Sequence, residues 1–343
     1  MFLTQQADRG RMPVALLSGF LGSGKTTLIN ALLRDPRMAG TAVAVNEFGE
    51  VPIDRDLIDH GADRTVVMAN GCLCCNLAGD LDQAVMRLFA RRESGDVPGF
   101  ARLIIEPSGL ADPAPIAQAI LRNPVLSRAM RLEAIVTTVD CLFAAGQIAC
   151  HPETGKQISL ADHLVLTKSD LADDAAVADL RDTLRGLNPL APMHLARDGE
   201  VDARSLFPPH FFDGSNNDPP SRSAFFADDG AGSGDHLAGI ASASFSADHP
   251  LRWRAFETWL RAIRIGHAEQ LLRVKGILNI DGVTGPVVVQ GVHHVMNAPV
   301  ALDEWPGPDR RSRLVMIADP ATIETARISW ANALPGLLAE ARH

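Results

Sequence analysis

The chain contains no tyrosine, and its four tryptophans all lie late, at Trp253, Trp259, Trp305 and Trp330. Intrinsic fluorescence therefore reports only on the C-terminal part. Cysteine is scarce, five in 343 residues. An odd, low count in a long chain without an export signal argues against a disulfide framework and for reduced thiols. No apolar run approaches the ~20 residues of a membrane span. The start, "MFLTQQADRGRMPV", lacks an apolar core long enough for a signal peptide. A cytoplasmic protein with no membrane attachment is the default expectation. Positive charge is in deficit too: 32 Lys and Arg stand against 41 Asp and Glu, a formal net charge of −9. General nucleic-acid binding needs clustered cations, so nucleic acid is not an expected partner.

The chain is too long for one ordinary core and calls for about two domains. In the first two hundred residues, short apolar runs alternate with helical patterns. "PVALLS" (13–18), "TAVAV" (41–45), "TVVMA" (65–69), "RLIIE" (102–106), "AIVTTVD" (134–140) and "HLVLT" (163–167) are rich in Val, Ile and Leu without alternation. Such runs suit parallel strands covered on both faces. "TTLINALLRD" and "LAGDLDQAVMRLFARR" between them carry helical spacing. The expectation is an α/β fold, a P-loop, doubly wound, mainly parallel sheet over residues 12–206. Residues 207–238 are dense in Pro, Gly, Ser, Asn and Asp and read as a flexible linker. Residues 239–343 read as a smaller α+β domain, with strands at "ASASFS", "LLRVKGILNI", "PVVVQGV" and "RLVMIA" and helices at "LRWRAFETWLRAI" and "ATIETARISWANALPGLLAEA".

"GFLGSGKT", Gly19 to Thr26, fits G-x-x-x-x-G-K-S/T between a predicted strand and a predicted helix. Gly19, Gly22 and Gly24, with Ser23 between them, let backbone N–H groups curl around phosphate oxygens. The helix N-terminus, entered through Thr26 and Thr27, adds positive potential. Lys25 is placed to reach the β- and γ-phosphates, and the Thr26 hydroxyl to ligate Mg²⁺. "LIIEPSG" ends an apolar strand in Glu106, a position suited to holding Mg²⁺ directly or through water, and Gly109 follows within reach of a γ-phosphate. "LVLTKSD" resembles the N/T-K-x-D guanine motif. Asp170 can accept from guanine's ring N1–H and exocyclic amine, the Lys168 stem can cover the purine face, and adenine offers Asp170 neither donor. Thr167 stands where many GTPases carry Asn, which predicts looser nucleotide affinity. An ATP-dependent small-molecule kinase is the competing class; it predicts adenine preference and indifference to Asp170→Ala.

"NGCLCCNL" puts Cys72, Cys74 and Cys75 within four positions. Three thiols so spaced cannot all face one apolar core in helix or strand geometry. A redox pair remains open. The stronger reading is a metal site, since soft thiolates suit Zn²⁺ or Cu⁺ over Mg²⁺. A structural zinc site normally has a fourth protein ligand at recognisable spacing, and none follows. Three ligands and an open position suit capture and release.

Together, "GFLGSGKTTL", "VNEFGEVPID", "NGCLCCNL", "IIEPSGLADP", "TTVD", "LTKSDL", "LRVKGILNI" and "QGVHHV" resemble the CobW-type metallochaperone GTPases, relatives of the nickel-insertion GTPases of urease and hydrogenase. The resemblance covers nearly the whole chain. It implies a GTP-hydrolysing domain cycling between GTP and GDP, joined to a smaller C-terminal domain. It also implies a transition metal on Cys72, Cys74 and Cys75, most often zinc, with cobalt open, delivered to a client metalloprotein. Asn46 to Glu50 would be a switch between nucleotide and metal. Glu47 then joins Lys25 and Glu106 as a candidate catalytic group, and Glu50 is a further candidate; both glutamates also fit solvated loop charges. A GTPase assisting cobalt or iron cofactor assembly and a nucleotide-binding redox sensor are the alternatives, and a homo-oligomer stays open. Two departures stand out. Val45 occupies a position where some relatives carry a Glu ligand. The linker holds only His210 and His236, where many relatives have a His-rich tract. The neighbouring His293 and His294 would face opposite sides of a strand and so would not both ligate.

Overall fold

The computed structural model describes residues 3–4, 10–45, 66–69, 81–197, 199–207 and 239–339. Asn46 to Glu50, the three clustered cysteines, His210, His236 and the rest of 208–238 lie outside the described residues. The chain divides into two compact units, Gly10–Arg181 with Ala191–Asp218, and Met1–Arg9 with Asp182–Leu190 and Pro219–His343. The first strand, β1 (Leu3–Thr4), belongs to the sheet of the second unit, where it pairs in parallel with Val300–Ala301.

In the first unit, β2 (Met12–Gly19), β3 (Thr41–Val45), β4 (Val66–Ala69), β5 (Arg102–Glu106), β6 (Met130–Asp140), β7 (His163–Thr167) and β8 (Met193–Leu195) form one sheet in the order β4-β3-β5-β2-β6-β7-β8. Every pairing is parallel. The absence of alternation in the sequence has its cause here: all eight residues of β2 and all five of β5 are buried. The helix Lys25–Arg34 turns Leu28, Ile29, Leu32 and Leu33 onto Ala15, Leu17, Val43, Ile104 and Val136. That stripe follows helical periodicity, and each such side chain contributes roughly 1.5–3 kcal/mol of burial. β6 begins at Met130, four residues before the apolar run that marks it in the sequence. Its charged entry is accommodated by an ion pair, Arg131 Nε to Glu133 Oε2 at 2.9 Å, between side chains on one face of the strand.

β2 has β5 on one side and β6 on the other, and the chain leaves it first toward β3 and β4 before returning across to β6. This reversal makes the carboxyl end of β2 a topological switch point, where open α/β sheets place their ligands.

The second unit is a mainly antiparallel sheet of β1, β9 (Ala241–Ala247), β10 (Leu271–Leu278), β11 (Val287–Val292), β12 (Val295–Met296), β13 (Val300–Ala301) and β14 (Ser312–Ala318). Its order is β1-β13-β11-β10-β14-β9, with β12 hairpinned onto β11. The helices Trp253–Gly266 and Pro320–Leu337 share a core with Val274, Leu278, Leu314 and Met316. Asp319 caps the second helix by accepting from the N–H groups of Ala321 and Thr322. His293 and His294 occupy the turn between β11 and β12, so strand alternation does not govern them. His293 has φ +51°, and Arg264 donates to the His294 carbonyl.

Phe256 is wholly buried, with ring centroids of Trp253 and Trp259 at 5.9 and 6.0 Å; Trp259 in turn meets Trp330 edge-on at 4.8 Å. Phe256→Ala is expected to lower the unfolding free energy of this unit by about 3–5 kcal/mol. Urea titration followed by tryptophan emission checks this, since every tryptophan lies in this unit. A loss under about 1 kcal/mol would show that the ring does not anchor the layer.

Candidate functional site

β2 delivers the chain to Gly19 at the switch point. Gly19, Gly22 and Gly24 have φ of +139°, +71° and +88°, a region that strains any L side chain. At Gly19 space fails as well: a Cβ would lie 2.2 Å from Thr138 Oγ1 and 2.6 Å from the Thr138 carbonyl. Gly24 caps the helix Lys25–Arg34, its carbonyl accepting from Leu28 N–H at 2.9 Å. Ser23 is almost fully buried. Its hydroxyl donates to the Phe20 carbonyl at 2.7 Å and lies 2.7 Å from Thr138 Oγ1. The Lys25 ammonium donates to the carbonyls of Gly19 at 3.0 Å and Phe20 at 3.2 Å, across the loop. Thr26 is half-buried and Thr27 exposed at the first turn of the helix.

Glu106 ends β5 beside β2, and its side chain is buried. It is in register with Val45, the last residue of β3, and Val45 in turn with Ala69, the last of β4. Three strand ends therefore come level at one edge. The turn after Glu106 presses on the phosphate loop: a Cβ on Gly109 would sit 2.7 Å from the Leu21 backbone nitrogen. Only glycine permits that approach.

Thr167 ends β7, and its hydroxyl lies within bonding distance of two carbonyls, Ser23 at 2.8 Å and Val139 at 3.2 Å. The short side chain thus spans from the T-K-x-D turn to the phosphate loop. Lys168 follows with φ +55° and donates to Asp140 Oδ2 at 2.6 Å, its ammonium 5.9 Å from the Phe143 ring centroid. Asp140 is buried, and its other oxygen accepts from Leu142 N–H. Asp170 is exposed at the same turn. Cys141 lies between the two acids; burial first, then Asp140 and Asp170, push its thiol up to about 11, so it stays protonated at neutral pH.

The structure thus brings Gly19, Gly22, Ser23, Gly24, Lys25, Thr26, Thr27, Glu106, Gly109, Thr167, Lys168 and Asp170 to one edge of one sheet. Glu47, Cys72, Cys74 and Cys75 lie outside the described residues. Among the described residues no group of three His, Cys, Asp or Glu side chains is gathered to hold a metal ion. Nor is any described helix long and apolar enough to cross a membrane. Three contributors had no role assigned from the sequence. Thr138 and Asp140 sit in "TTVD", where a strand ending in a carboxylate beside T-K-x-D is a usable signal. Gln157, whose amide holds the Gly109 turn, has none.

A glycine loop at a sheet's switch point, a carboxylate-ended strand beside it and a T-K-x-D turn define a P-loop GTPase domain. The family model described as CobW/HypB/UreG, nucleotide-binding domain, matches residues 13–195, and that of the cobalamin synthesis protein cobW C-terminal domain matches residues 240–334. The zinc chaperone YjiA of Escherichia coli K12 is 32% identical over 295 residues, which is 86% of this chain and 89% of that protein. The zinc chaperone CobW of Pseudomonas aeruginosa is 34% identical over 53% of this chain and 55% of its own. The crystal structure of zinc-bound YjiA GTPase from E. coli superposes with a TM-score of 0.71 at 27% identity, covering 94% of this chain and 99% of that one. The chain belongs to the CobW/HypB/UreG family.

Thr167→Val keeps the shape and removes the hydroxyl that reaches Ser23 and Val139. It is expected to cost about 1–3 kcal/mol of stability and to weaken GTP and GDP binding by a similar factor, about tenfold. Chemical denaturation and fluorescent-nucleotide titration check both. Unchanged affinity would show that the tie does not shape the loop.

Proposed function

We propose that this protein is a GTP-driven zinc carrier. Cys72, Cys74 and Cys75 hold the ion, and GTP hydrolysis governs its release to a client metalloprotein. The observation that carries the reading is the register of strand ends. Ala69, the last described residue before the cysteines, is level with Val45, and Val45 with Glu106 beside the phosphate loop. Adjacent strands lie about 4.8 Å apart, so Ala69, three residues before Cys72 in the sequence, lies about 10 Å from Glu106. The relatives named as zinc chaperones and the zinc-bound YjiA structure support zinc as the cargo. The chemistry agrees, since three thiolates suit a soft, tetrahedral ion.

For the nucleotide, Gly22, Ser23 and Gly24 offer backbone N–H groups to the phosphates, and Lys25 moves from its loop carbonyls to the β- and γ-oxygens. Thr26 and Glu106 present hard oxygens suited to Mg²⁺, which neutralises charge on the β- and γ-phosphates when bound. Water attacks the γ-phosphorus, the bond to the β-bridging oxygen breaks, and GDP and phosphate leave. Glu47 is a candidate for orienting that water. Gly109 follows the γ-phosphate through its N–H. Asp170 selects guanine, with Lys168 held by Asp140 over the base. Asn46 to Glu50 continue directly from Val45 and relay the phosphate state to the thiolates. The C-terminal unit docks the client.

Replacing Cys72, Cys74 and Cys75 together by Ser is expected to reduce bound zinc from about one per chain to near zero and to abolish any response of GTP hydrolysis to zinc. Nucleotide affinity should stay within about twofold of that of the zinc-free wild type. Zinc retained at wild-type stoichiometry would sink the assignment.

A further inference from the structure

We propose that Gln157 is the positioning residue of the γ-phosphate turn and sets the preference for GTP over GDP. The proposal rests on the GTPase reading and on the Gly109 role given above. Gln157 lies in the helix Pro152–Leu160, outside all the nucleotide motifs, with 1% of its surface exposed. Its Nε2 donates to the Gly109 carbonyl at 3.1 Å and the Ala111 carbonyl at 3.0 Å. Both partners are acceptors, so the amide must present its NH₂ group to them, and the two hydrogens are both used. Oε1 then points away, buried and without a hydrogen-bond partner among the described residues. Packing alone would favour an apolar side chain of this size, because an unsatisfied buried oxygen is unfavourable. The amide is therefore explained by what it holds.

What it holds is the segment that follows Glu106. Fixing the carbonyls of Gly109 and Ala111 fixes two peptide planes, that joining Gly109 to Leu110 and that joining Ala111 to Asp112. The Gly109 N–H shares its plane with the Ser108 carbonyl, which accepts from Ala111 N–H at 2.9 Å, so the residue that Gln157 holds by its carbonyl also holds that plane. The anchor is rigid at its other end as well. The Gln157 carbonyl accepts from Thr137 Oγ1 at 3.0 Å, and Thr137 neighbours Thr138, which contacts Ser23. At the start of the same helix, the His151 ring lies 4.6 Å from that of Phe20 in the phosphate loop. One helix thus references the Gly109 turn to the loop holding the other phosphates. GDP lacks the group that Gly109 would meet, so a misplaced turn weakens GTP binding selectively.

The test uses the full chain and its Gln157→Leu variant, titrated with fluorescent GDP and a non-hydrolysable GTP analogue, with turnover at saturating GTP. The expected result is about a tenfold loss of analogue affinity, GDP affinity within about twofold, and a lower kcat. A parallel loss for both nucleotides, or no loss for either, overturns the proposal, since a purely structural glutamine would not move the ratio. Should Gln157→Leu fail to fold, Gln157→Asn, whose amide is one methylene too short to reach both carbonyls, carries the same prediction. If the wild-type protein does not hydrolyse GTP, the GTPase reading fails. If it does and the variants keep the wild-type ratio, only this inference fails.

Discussion

Two threonine hydroxyls from adjacent strands converge on Ser23: Thr138 of β6 meets its side chain, and Thr167 of β7 meets its backbone carbonyl. Much of the site depends on this arrangement. Three left-handed glycines give the phosphate loop freedom that must be removed before N–H groups can point at a ligand. Buried hydroxyl contacts remove it. They are strong because the surroundings are dry, and a lost partner leaves a buried polar group unsatisfied. The same strands end in Asp140, which holds Lys168, and in the T-K-x-D turn itself. The phosphate loop and the T-K-x-D turn therefore share one support.

The opposite side of the site is built differently. Glu106 and Gly109 lie on the segment that leaves β5, and the nearest strand ends beyond them are Val45 and Ala69, which lead to Asn46–Glu50 and to the cysteines. On this side a glycine meets the Leu21 backbone of the phosphate loop, and the Gln157 amide holds the turn that carries it.

Much of this was legible in the sequence. "GFLGSGKT" named the loop, and its three glycines have the positive φ the motif needs. Unbroken Val, Ile and Leu runs marked β2, β3, β5 and β7, because strands buried on both faces need no alternation. Other parts were hidden for physical reasons. β8, β12 and β13 are two or three residues long, too short for a periodic signal. The start of β6 was masked by Arg131 and Glu133, whose charges cancel only once paired. His293 and His294 looked like strand residues, but His293 takes a left-handed turn. Thr167 read as a position for the base, and its second task became visible only when Ser23 stood beside it. Gln157 has no pattern at all, since its partners are carbonyls that any sequence could supply. Glu47 and the cysteine triplet were read from the sequence and rest on it still.

In the proposed cycle, phosphate state and thiolate coordination are coupled. Zinc affinity measured by competition with a chromogenic chelator, once with a non-hydrolysable GTP analogue and once with GDP, tests it directly. The two affinities are expected to differ by about tenfold or more, with zinc shifting the ratio of analogue to GDP affinity by that same factor, as linkage requires. Equal zinc affinity in the two nucleotide states would contradict it.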